Sequence, residues 1–550
     1  MKTKIWIKSM AAFGLALTML LTTACSNSTE KPKGSKANSA SSATVEKTED
    51  GREKVNGVMY KEGLPIVDPG TYSFTLFTDN SEKDTDFAML PIFEEQTGVK
   101  VELLMYPYEV CKEKLTVLLN SSDYPDAIGG WILSSNDILT LGVNEGVYIP
   151  LNKYFDEYCP TINKILDLPG VRDTMTTPDG QIYTFPFVID APQVAFLPYI
   201  NAQWLKNLNL EMPTTTDEFK AVLKAFKEQD ANGNGDPNDE IPFSMDPNNP
   251  ELPQTFGWFG KSVSHKDGFT MVDGKLEFAA DSEEYKAGVK FYAELYQEGL
   301  LDSEIFTQDL AQWKAKGAQD LYGVSIAYGS GDFLPFETGE KPQFEPLPVL
   351  KSSDTVEPVY LRSSVGIDTY TTQLVITDNA KNPEVICRYW DFIFEPKNSM
   401  QVMNGPIGKI LNKVDGVWEK VDLTTLSEEE EQYYGWSNLF PQSLPKYGLK
   451  DEEYSVNENP KPYPEKDIAD DLYEPYLTEV IPSYWASTEE ATKMADYSTS
   501  IGDYIKQKRA EWISGQSDID SDWSAYLEQL DKLGLQEYIK MRKKAIGQAE

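Results

Sequence analysis

The N-terminus has the organisation of a secretory signal peptide. Three lysines fall within the first eight residues, and an apolar run from Met10 to Leu21 follows, interrupted only by a glycine and a threonine. This run is shorter than the roughly 20 residues that a membrane-spanning helix needs. The pattern predicts a signal peptide over residues 1–24, which directs the chain out of the cytoplasm.

A cysteine follows the apolar run. The stretch Leu21-Thr22-Thr23-Ala24-Cys25 resembles a bacterial lipobox, in which the cysteine is lipidated and becomes the mature N-terminus, although Thr22 stands where leucine is usual. We predict acylation of Cys25 by chains such as palmitate, and ordinary cleavage that releases a soluble protein is the alternative. Residues 25–64 are predicted to be the lipid-bearing cysteine and a disordered tether, because residues 26–57 contain no aromatic residue, leucine or isoleucine to bury. Two acyl chains give stable membrane attachment.

The chain is strongly acidic. It has 88 acidic and 50 basic residues and a formal net charge of −38. Such a chain repels the phosphates of nucleic acids, so DNA and RNA binding are excluded, and contact with the membrane is expected through the lipid only. At 550 residues the chain is too long for one hydrophobic core, so at least two lobes are expected, in a monomer.

No catalytic constellation is visible. The single histidine, His265, lies in a polar stretch and is predicted to be an exposed loop residue, which leaves no histidine-based triad and no two-histidine zinc site. Cys111, Cys159 and Cys387 are widely spaced and are predicted to be buried thiols, with a Cys111–Cys159 bridge as the alternative. No catalytic residue is therefore assigned, and the chain is predicted not to be an enzyme.

Strands and helices alternate from residue 65. Tyr72–Phe77 and Val99–Leu104 have the pattern of strands, residues 84–97 and 109–120 that of helices, and residues 127–131 that of a strand end. This βαβαβ order predicts an α/β sheet covered by helices.

A second region repeats this alternation. Thr215 and Glu218 form a capping box that predicts a helix reaching Gln229. A helix beginning near Ser282 and a strand over residues 322–328 follow. The sequence therefore predicts a second α/β unit.

The segment that begins at Asp230 has the spacing of a calcium-binding loop. Oxygen-bearing side chains occupy its first, third and fifth positions and glycine the sixth, as in the first half of an EF-hand loop. The twelfth position holds Ile241 instead of glutamate, so earlier carboxylates have to complete the shell. The predicted ligands of this structural Ca²⁺ are Asp230, Asn232, Asn234, Asp236, Asp239 and Glu240. The alternative is a solvated turn rich in asparagine and glycine.

Several stretches together resemble a known family. They are Ser122-Asp123-Tyr124-Pro125-Asp126, Leu208-Asn209-Leu210 through Pro213-Thr214-Thr215, Asp230 through Pro242, Asn404-Gly405-Pro406-Ile407-Gly408, and Trp512-Ile513-Ser514-Gly515 with Asp522-Trp523. Their order and spacing resemble the large lipoprotein class of family 1-like extracellular solute-binding proteins, found in Firmicutes with carbohydrate ABC importers. The likeness covers nearly the whole chain after the signal peptide.

This resemblance implies a bilobed type II periplasmic-binding-protein fold, with two α/β lobes joined by a multi-strand hinge. The expected N-terminal lobe comprises residues 65–182 and 354–427, and the C-terminal lobe residues 183–353 and 428–550. The implied function is capture of a sugar, expected to be an oligosaccharide, between the lobes at the extracellular face of the membrane. The ligand is then delivered to the permease subunits of an ABC transporter.

Sugar sites combine aromatic platforms with a few polar side chains, and ligands of α/β sheets lie beyond the carboxyl ends of the strands. The predicted ligand-binding residues are Asp79, Asn80, Trp131, Trp258, Tyr328, Asp332, Arg362 and Trp436. Two other functions stay open from sequence alone: a peptide- or signal-binding lipoprotein of the same fold, and a surface glycoside hydrolase with a carboxylate pair that no motif marks.

Overall fold

Two four-stranded sheets, each with helices packed around it, form the framework of the protein in the computed structural model. The structure describes residues 44–80, 85–121, 123–248, 250–334, 343–365, 367–449, 453–457, 465–487 and 489–548. The predicted signal peptide and Cys25 lie outside these residues.

The first sheet contains the predicted βαβαβ unit. Its strands are ordered β15-β6-β4-β5, with β4 parallel to β5 and β6, and β15 antiparallel to β6. The strands are β4 (Tyr72–Asp79), β5 (Val99–Tyr106), β6 (Ala127–Gly129) and β15 (Leu374–Ile376).

The helices of this lobe are α1 (Met89–Thr97), α2 (Tyr108–Ser121), α3 (Ser135–Asp137), α4 (Asn152–Tyr158), α5 (Pro160–Leu166), α6 (Val171–Met175), α11 (Pro383–Phe394), α12 (Pro396–Asn404), α13 (Glu428–Tyr433) and α14 (Trp436–Leu439). Helix α1 begins later than predicted, so that Pro91 falls in its first turn, where a missing N–H costs nothing.

The second sheet is mixed. Its order is β13-β8-β12-β9, with β12 parallel to β9 and antiparallel to β8. The strands are β8 (Leu197–Asn201), β9 (Ile241–Met245), β12 (Tyr322–Ala327) and β13 (Phe344–Pro346). The helices of this lobe are α7 (Ala202–Asn207), α8 (Thr216–Glu228), α9 (Glu283–Gln297), α10 (Leu310–Gly317), α15 (Glu465–Tyr473), α16 (Ala491–Ile513), α17 (Ile519–Lys532) and α18 (Leu535–Ala545).

The predicted capping box at the start of α8 is confirmed. The Thr215 hydroxyl accepts the N–H of Glu218 at 3.2 Å, and the Glu218 carboxylate accepts the N–H of Thr215 at 3.2 Å. Phe219 and Phe226 are buried on the inner face of the helix. Local capping and helical spacing therefore agree with the tertiary packing here.

Three short strands join the two lobes. The sheet β14-β7-β18 contains β7 (Phe187–Asp190), β14 (Ile367–Tyr370) and β18 (Tyr447–Gly448), each from a different passage of the chain between the lobes. Two hairpin-based sheets lie outside this framework: β10 (Phe269–Val272) with β11 (Lys275–Phe278), and β16 (Leu411–Val414), β17 (Val417–Lys420) with β19 (Val456–Asn457). The two-lobed α/β fold predicted from the sequence is confirmed.

The cores in which single residues pack place all three lobe boundaries later in the chain than the sequence predicted. Val188 packs in the first lobe and Tyr360 in the second, whereas the sequence prediction placed each in the other lobe. Phe440 and Leu444 likewise pack in the first lobe, although residues 428–550 were assigned to the second. The crossings occur later in the chain because each connecting segment first completes the core that it is leaving.

The predicted tether is ordered in its C-terminal part. Strands β1 (Val45–Lys47), β2 (Glu53–Val55) and β3 (Met59–Tyr60) form an antiparallel sheet, so the prediction of disorder through residue 64 is wrong for this segment. Val55 and Met59 are buried in the first-lobe core, and the Arg52 guanidinium lies 3.6 Å from the centre of the Tyr60 ring. A few apolar contacts with the lobe are enough to order a segment that is polar on average.

None of the helices within the described residues combines the length and the apolar character that crossing a membrane requires.

Candidate ligand and calcium sites

The carboxyl edge of the first sheet brings Asp79 next to Trp131. Asp79 ends β4 and is buried, and its Oδ1 has no hydrogen-bond partner. Burial raises the pKa of Asp79 to about 6, against the lowering effect of the nearby backbone N–H groups of Trp131 and Ile132. Asn80 is adjacent and donates its side-chain amide to Thr85 Oγ1 at 2.9 Å. The strand order therefore does bring together these sequence-predicted residues.

Trp131 belongs to an aromatic cluster at the junction of the lobes. Its ring centre lies 5.2 Å from that of Tyr370 and 6.1 Å from that of Phe187, and the latter two are 5.2 Å apart. Trp131 is 44 % exposed, which is unusual for so large an apolar side chain. An exposed indole held by two other rings is a platform on which the apolar face of a sugar ring can stack.

Sequence reasoning missed Phe187 and Tyr370, which lie on β7 and β14. Nothing in the local pattern distinguishes these strand residues from core residues. A buried cation and a carboxylate accompany them: Lys446 Nζ lies 5.4 Å from the Phe187 ring centre, and Asp368 hydrogen-bonds Tyr370. Burial lowers the pKa of Lys446 to about 7 and raises that of Asp368.

A second group of polar and aromatic residues lies at the carboxyl end of β12. Lys466 Nζ is 4.2 Å from the Tyr328 ring centre and donates to the Val194 carbonyl at 3.2 Å. Asp332 Oδ2 accepts the N–H of Gly329 at 3.2 Å, and the charge of Asp332 opposes the burial that lowers the pKa of Lys466 to about 7. Tyr328 and Asp332, both predicted to bind ligand, therefore lie together at this edge.

Tyr370 of the connecting strands interacts electrostatically with residues of both edges. Burial raises the pKa of Tyr370, the Asp368 carboxylate adds to the shift, and Tyr328 from the second edge contributes as well. Aromatic faces and hydrogen-bonding groups from both lobes thus flank one region at the connecting strands.

Trp258 is a core residue, and the prediction that it binds ligand is wrong. Its side chain is fully buried, with ring centres of Phe219 and Tyr292 at 5.6 and 6.4 Å. A Cβ at the preceding Gly257 would lie 1.8 Å from the Val359 carbonyl oxygen. The glycine serves close packing rather than loop flexibility.

Arg362 and Trp436 stand apart from the aromatic cluster. Arg362 donates to the Thr478 carbonyl at 3.2 Å and to the Gln193 side chain, and it lines a 590 Å³ groove in the second lobe. Trp436 is 58 % exposed on α14, and its carbonyl accepts the Gln442 side-chain amide at 2.8 Å. Gln442 in turn accepts from Lys446 Nζ at 2.7 Å, so the Trp436 backbone supports the site indirectly.

His265 is not the exposed loop residue that its polar neighbours suggested. Its side chain is 12 % exposed, and Nδ1 lies 2.7 Å from Glu251 Oε1.

The three described cysteines are buried, as predicted, but Cys111 and Cys159 lie in different core clusters and the alternative Cys111–Cys159 bridge is wrong.

The segment from Asp230 to Glu240 folds as a loop closed by its own side chains. Glu240 Oε1 accepts the N–H of Ala231 at 2.9 Å, Asp230 Oδ2 accepts the N–H of Gly235 at 3.0 Å, and Asn234 donates to Asp239 Oδ2 at 2.7 Å. The described residues contain no preformed group of three carboxylate, histidine or cysteine side chains positioned for a metal ion.

Two carboxylate oxygens of this loop nevertheless fit a cation. Asp230 Oδ1 and Glu240 Oε2 are buried without a hydrogen-bond partner, and burial raises the pKa of Glu240. An unpaired buried carboxylate oxygen is costly, and oxygen-rich loops of this spacing suit Ca²⁺. The donor set therefore matches the metal predicted from the sequence.

Comparison with known proteins decides the family. The model of the family described as bacterial extracellular solute-binding protein matches residues 78–400. The chain is a bacterial extracellular solute-binding protein. The family predicted from the sequence is thereby confirmed.

Related solute-binding proteins cover most of the chain. The fructooligosaccharide ABC transporter substrate-binding protein FusA of Streptococcus pneumoniae is 32% identical over 515 residues, 90% of this chain and 93% of FusA. Its structure in complex with kestose matches with a TM-score of 0.76 and 30% identity, over 86% of this chain and 99% of that one. The structure of a FusA EF-hand mutant with fructo-nystose matches with the same TM-score, 29% identity and the same coverage.

Because Gly130 has no side chain, there is room for the Asp79 carboxylate next to its Cα. Its φ is +114°, and a Cβ would lie 1.8 Å from Asp79 Oδ1. Gly130→Ala must displace the carboxylate or Trp131, so we expect at least tenfold weaker ligand binding by calorimetry. Gly146→Ala is the matched control, because Gly146 has φ +72° with nothing within 4 Å. It should cost about 1–2 kcal/mol of stability and leave the affinity unchanged; equal affinities of the two variants would contradict this assignment.

Asp79 makes stability depend on pH. Its folded pKa of about 6 exceeds the 3.8 of an ordinary aspartate, so the folded state binds the proton more tightly. This stabilisation is complete below the unfolded pKa and is lost as the pH rises through about 6. When the pH is raised from 5 to 7.5, deprotonation of Asp79 should lower the free energy of unfolding by roughly 1–2 kcal/mol, which urea titration at the two pH values measures. Asp79→Asn should remove this part of the pH dependence; an unchanged difference between the two pH values would refute the prediction.

Proposed function

We propose that this chain captures an oligosaccharide between its two lobes, as a monomer, and delivers it to the permease subunits of an ABC transporter. The observation that carries this proposal is the exposed Trp131 platform at the lobe junction, bordered by Asp79, Asp368 and Lys446. Sugar rings combine an apolar face with hydroxyl groups, and this site offers both kinds of partner. FusA, which binds kestose in its solved complex, supports the same ligand class.

Closure is proposed to occur by rotation about the sheet of β7, β14 and β18. Hinges are a few residues at which the chain passes between rigid bodies, and these strands are such passages. Phe187 and Tyr370 belong to the hinge strands and to the aromatic cluster. Ligand that contacts the platform is therefore coupled directly to the relative position of the lobes.

Calcium is proposed to stabilise the second lobe. The residues that would hold it are Asp230, Asn232, Asn234, Asp236, Asp239 and Glu240. Bound there, Ca²⁺ would supply charge compensation to the two unpaired carboxylate oxygens. The role proposed for Ca²⁺ is therefore structural.

The protein is further proposed to be a lipoprotein of the extracellular membrane face, with signal peptide 1–24 removed and Cys25 acylated. Cells grown with radiolabelled palmitate should yield labelled protein, and Cys25→Ala should remove the label. Label that persists in this variant would contradict acylation at Cys25.

Calorimetry on the purified protein tests the proposed function. The probes are kestose, fructo-nystose and a panel of other oligosaccharides, with a peptide pool in parallel. The expected result is saturable binding of at least one oligosaccharide and a higher melting temperature with it, without release of shorter sugars on chromatography. Binding of peptides alone, or catalytic hydrolysis of the sugar, would overturn the proposal in favour of a peptide-binding protein or a glycoside hydrolase.

A further inference from the structure

Two cysteines of the first lobe lie in contact with one another. Cys159 separates α4 from α5, and Cys387 lies on α11, which packs against both of these helices. Both side chains are fully buried in the same core cluster, and the carboxylate of Asp391, one turn after Cys387, accepts the N–H of Ile162, three residues after Cys159, at 2.8 Å. Cys111 lies on α2, in another core cluster. The chain thus pairs two of its described cysteines and separates the third.

The pair also has a defined place in the topology. The chain leaves the first lobe through β7 and returns to it through β14. Cys159 precedes the exit, and Cys387 follows the return. A covalent bond between them would enclose the long excursion through β8, β9, β12 and β13 of the second lobe in one loop.

We propose that Cys159 and Cys387 form a disulfide when the protein folds outside the cell. Both Sγ atoms lose their hydrogens and become bonded to each other, and the two electrons and two protons pass to an external disulfide, which is reduced to two thiols. The extracellular space of a solute-binding protein lacks the reductants that keep cytosolic thiols reduced. Because α11 packs against α4 and α5 at these cysteines, the two thiols need only a small movement to bond.

The bond should form during folding and then persist. Burial raises the pKa of Cys159 well above its usual range, and the neighbouring Cys387 adds to this shift, so little thiolate exists in the folded protein. Neither sulfur is accessible to a disulfide reagent once the helices have packed. The folded protein should therefore resist both oxidation and reduction, whereas the folding chain exchanges readily.

The bond should stabilise the folded protein by lowering the conformational entropy of the unfolded chain. Closing a long loop removes more conformational entropy from the unfolded state than closing a short one. It would also keep α5 and α11 adjacent while the second lobe opens or unfolds. For a protein of this size the expected rise in melting temperature is about 4 °C.

Peptide mapping of the full chain tests the proposal. The protein is purified without reductant, denatured in the presence of iodoacetamide and digested. The expected result is a cross-linked pair of peptides containing Cys159 and Cys387, two hydrogen masses lighter than the separate peptides, and alkylation of Cys111. Alkylation of all three cysteines, or a bridge to Cys111, would overturn the proposal.

Cysteine variants distinguish the stabilisation due to the disulfide from the stabilisation due to packing of the cysteine side chains. Unfolded wild-type protein is refolded with oxidised or reduced glutathione, and the oxidised sample should melt about 4 °C higher. Cys111→Ser should keep this difference, whereas Cys159→Ala with Cys387→Ala should abolish it. A difference that survives the double replacement, or is absent from wild type, counts against the bond; if the double variant does not fold, the peptide map and the Cys111→Ser comparison decide.

Discussion

Replacing Trp131 with alanine should weaken oligosaccharide binding by roughly 30- to 100-fold. The indole is 44 % exposed and its ring packs against Phe187 and Tyr370, so its truncation removes a stacking surface without emptying a core. An aromatic residue at the centre of a binding site contributes about 2–3 kcal/mol or more, which corresponds to this change in Kd. Calorimetry with the oligosaccharide identified by the panel measures it, and the melting temperature of the unliganded protein should stay within about 2 °C.

Trp418→Ala provides the matched control. Trp418 is a partly exposed tryptophan on β17, in the separate β16-β17-β19 sheet, where its indole N–H donates to the Glu453 carbonyl at 3.0 Å. This variant should bind ligand as wild type does. Trp131→Phe should keep part of the affinity, because a smaller ring still stacks. If Trp131→Ala and Trp418→Ala had the same affinity as wild type, the ligand would have to lie elsewhere, and the Arg362 groove would be the next candidate.

Removing calcium should lower the stability of the protein by roughly 3–4 kcal/mol relative to a solution in which free Ca²⁺ is 100- to 1,000-fold above its Kd. The physical reason is that Asp230 Oδ1 and Glu240 Oε2 are buried without hydrogen-bond partners when no cation is present. Thermal and urea unfolding with EGTA and with added Ca²⁺ measure the difference. Mg²⁺ should substitute poorly, because it requires stricter octahedral geometry and shorter metal–oxygen distances.

Glu240→Gln should abolish the response to calcium. Asp415→Asn is the matched control, because Asp415 lies with φ +50° in the turn between β16 and β17 and asparagine tolerates that conformation. This control should respond to EGTA as wild type does. An unfolding curve that is the same with and without calcium would instead support a solvated turn.

Several features of the protein could be read from the sequence because they depend on neighbours along the chain. The capping box of Thr215 and Glu218 and the αβ alternation of the first lobe are set by spacings of a few residues, and the structure reproduces both. Asp79 and Trp131 were also predicted, since the carboxyl ends of parallel strands meet at one edge of a sheet. Local patterns and sheet geometry were sufficient for these residues.

Burial and long-range partners could not be read in this way. Trp258 was predicted to bind ligand, yet elements distant in sequence enclose it completely. The prediction of a disordered tether over residues 25–64 failed at residues 45–60 for the same reason, since Val55 finds its apolar contacts in the first-lobe core. A side chain's surroundings depend on which distant segment covers it, and no local spacing encodes that.

The sequence by itself determined the α/β class, the family resemblance and the oxygen-rich loop at Asp230, because each depends on short residue spacings or on the order of motifs along the chain. Only the tertiary structure decided that Phe187 and Tyr370 join Trp131, and that Cys159 shares a core cluster with Cys387 and not with Cys111. These residues are brought together by the repeated passage of the chain between its lobes, and that passage is stabilised by the summed burial of two cores rather than by any one segment.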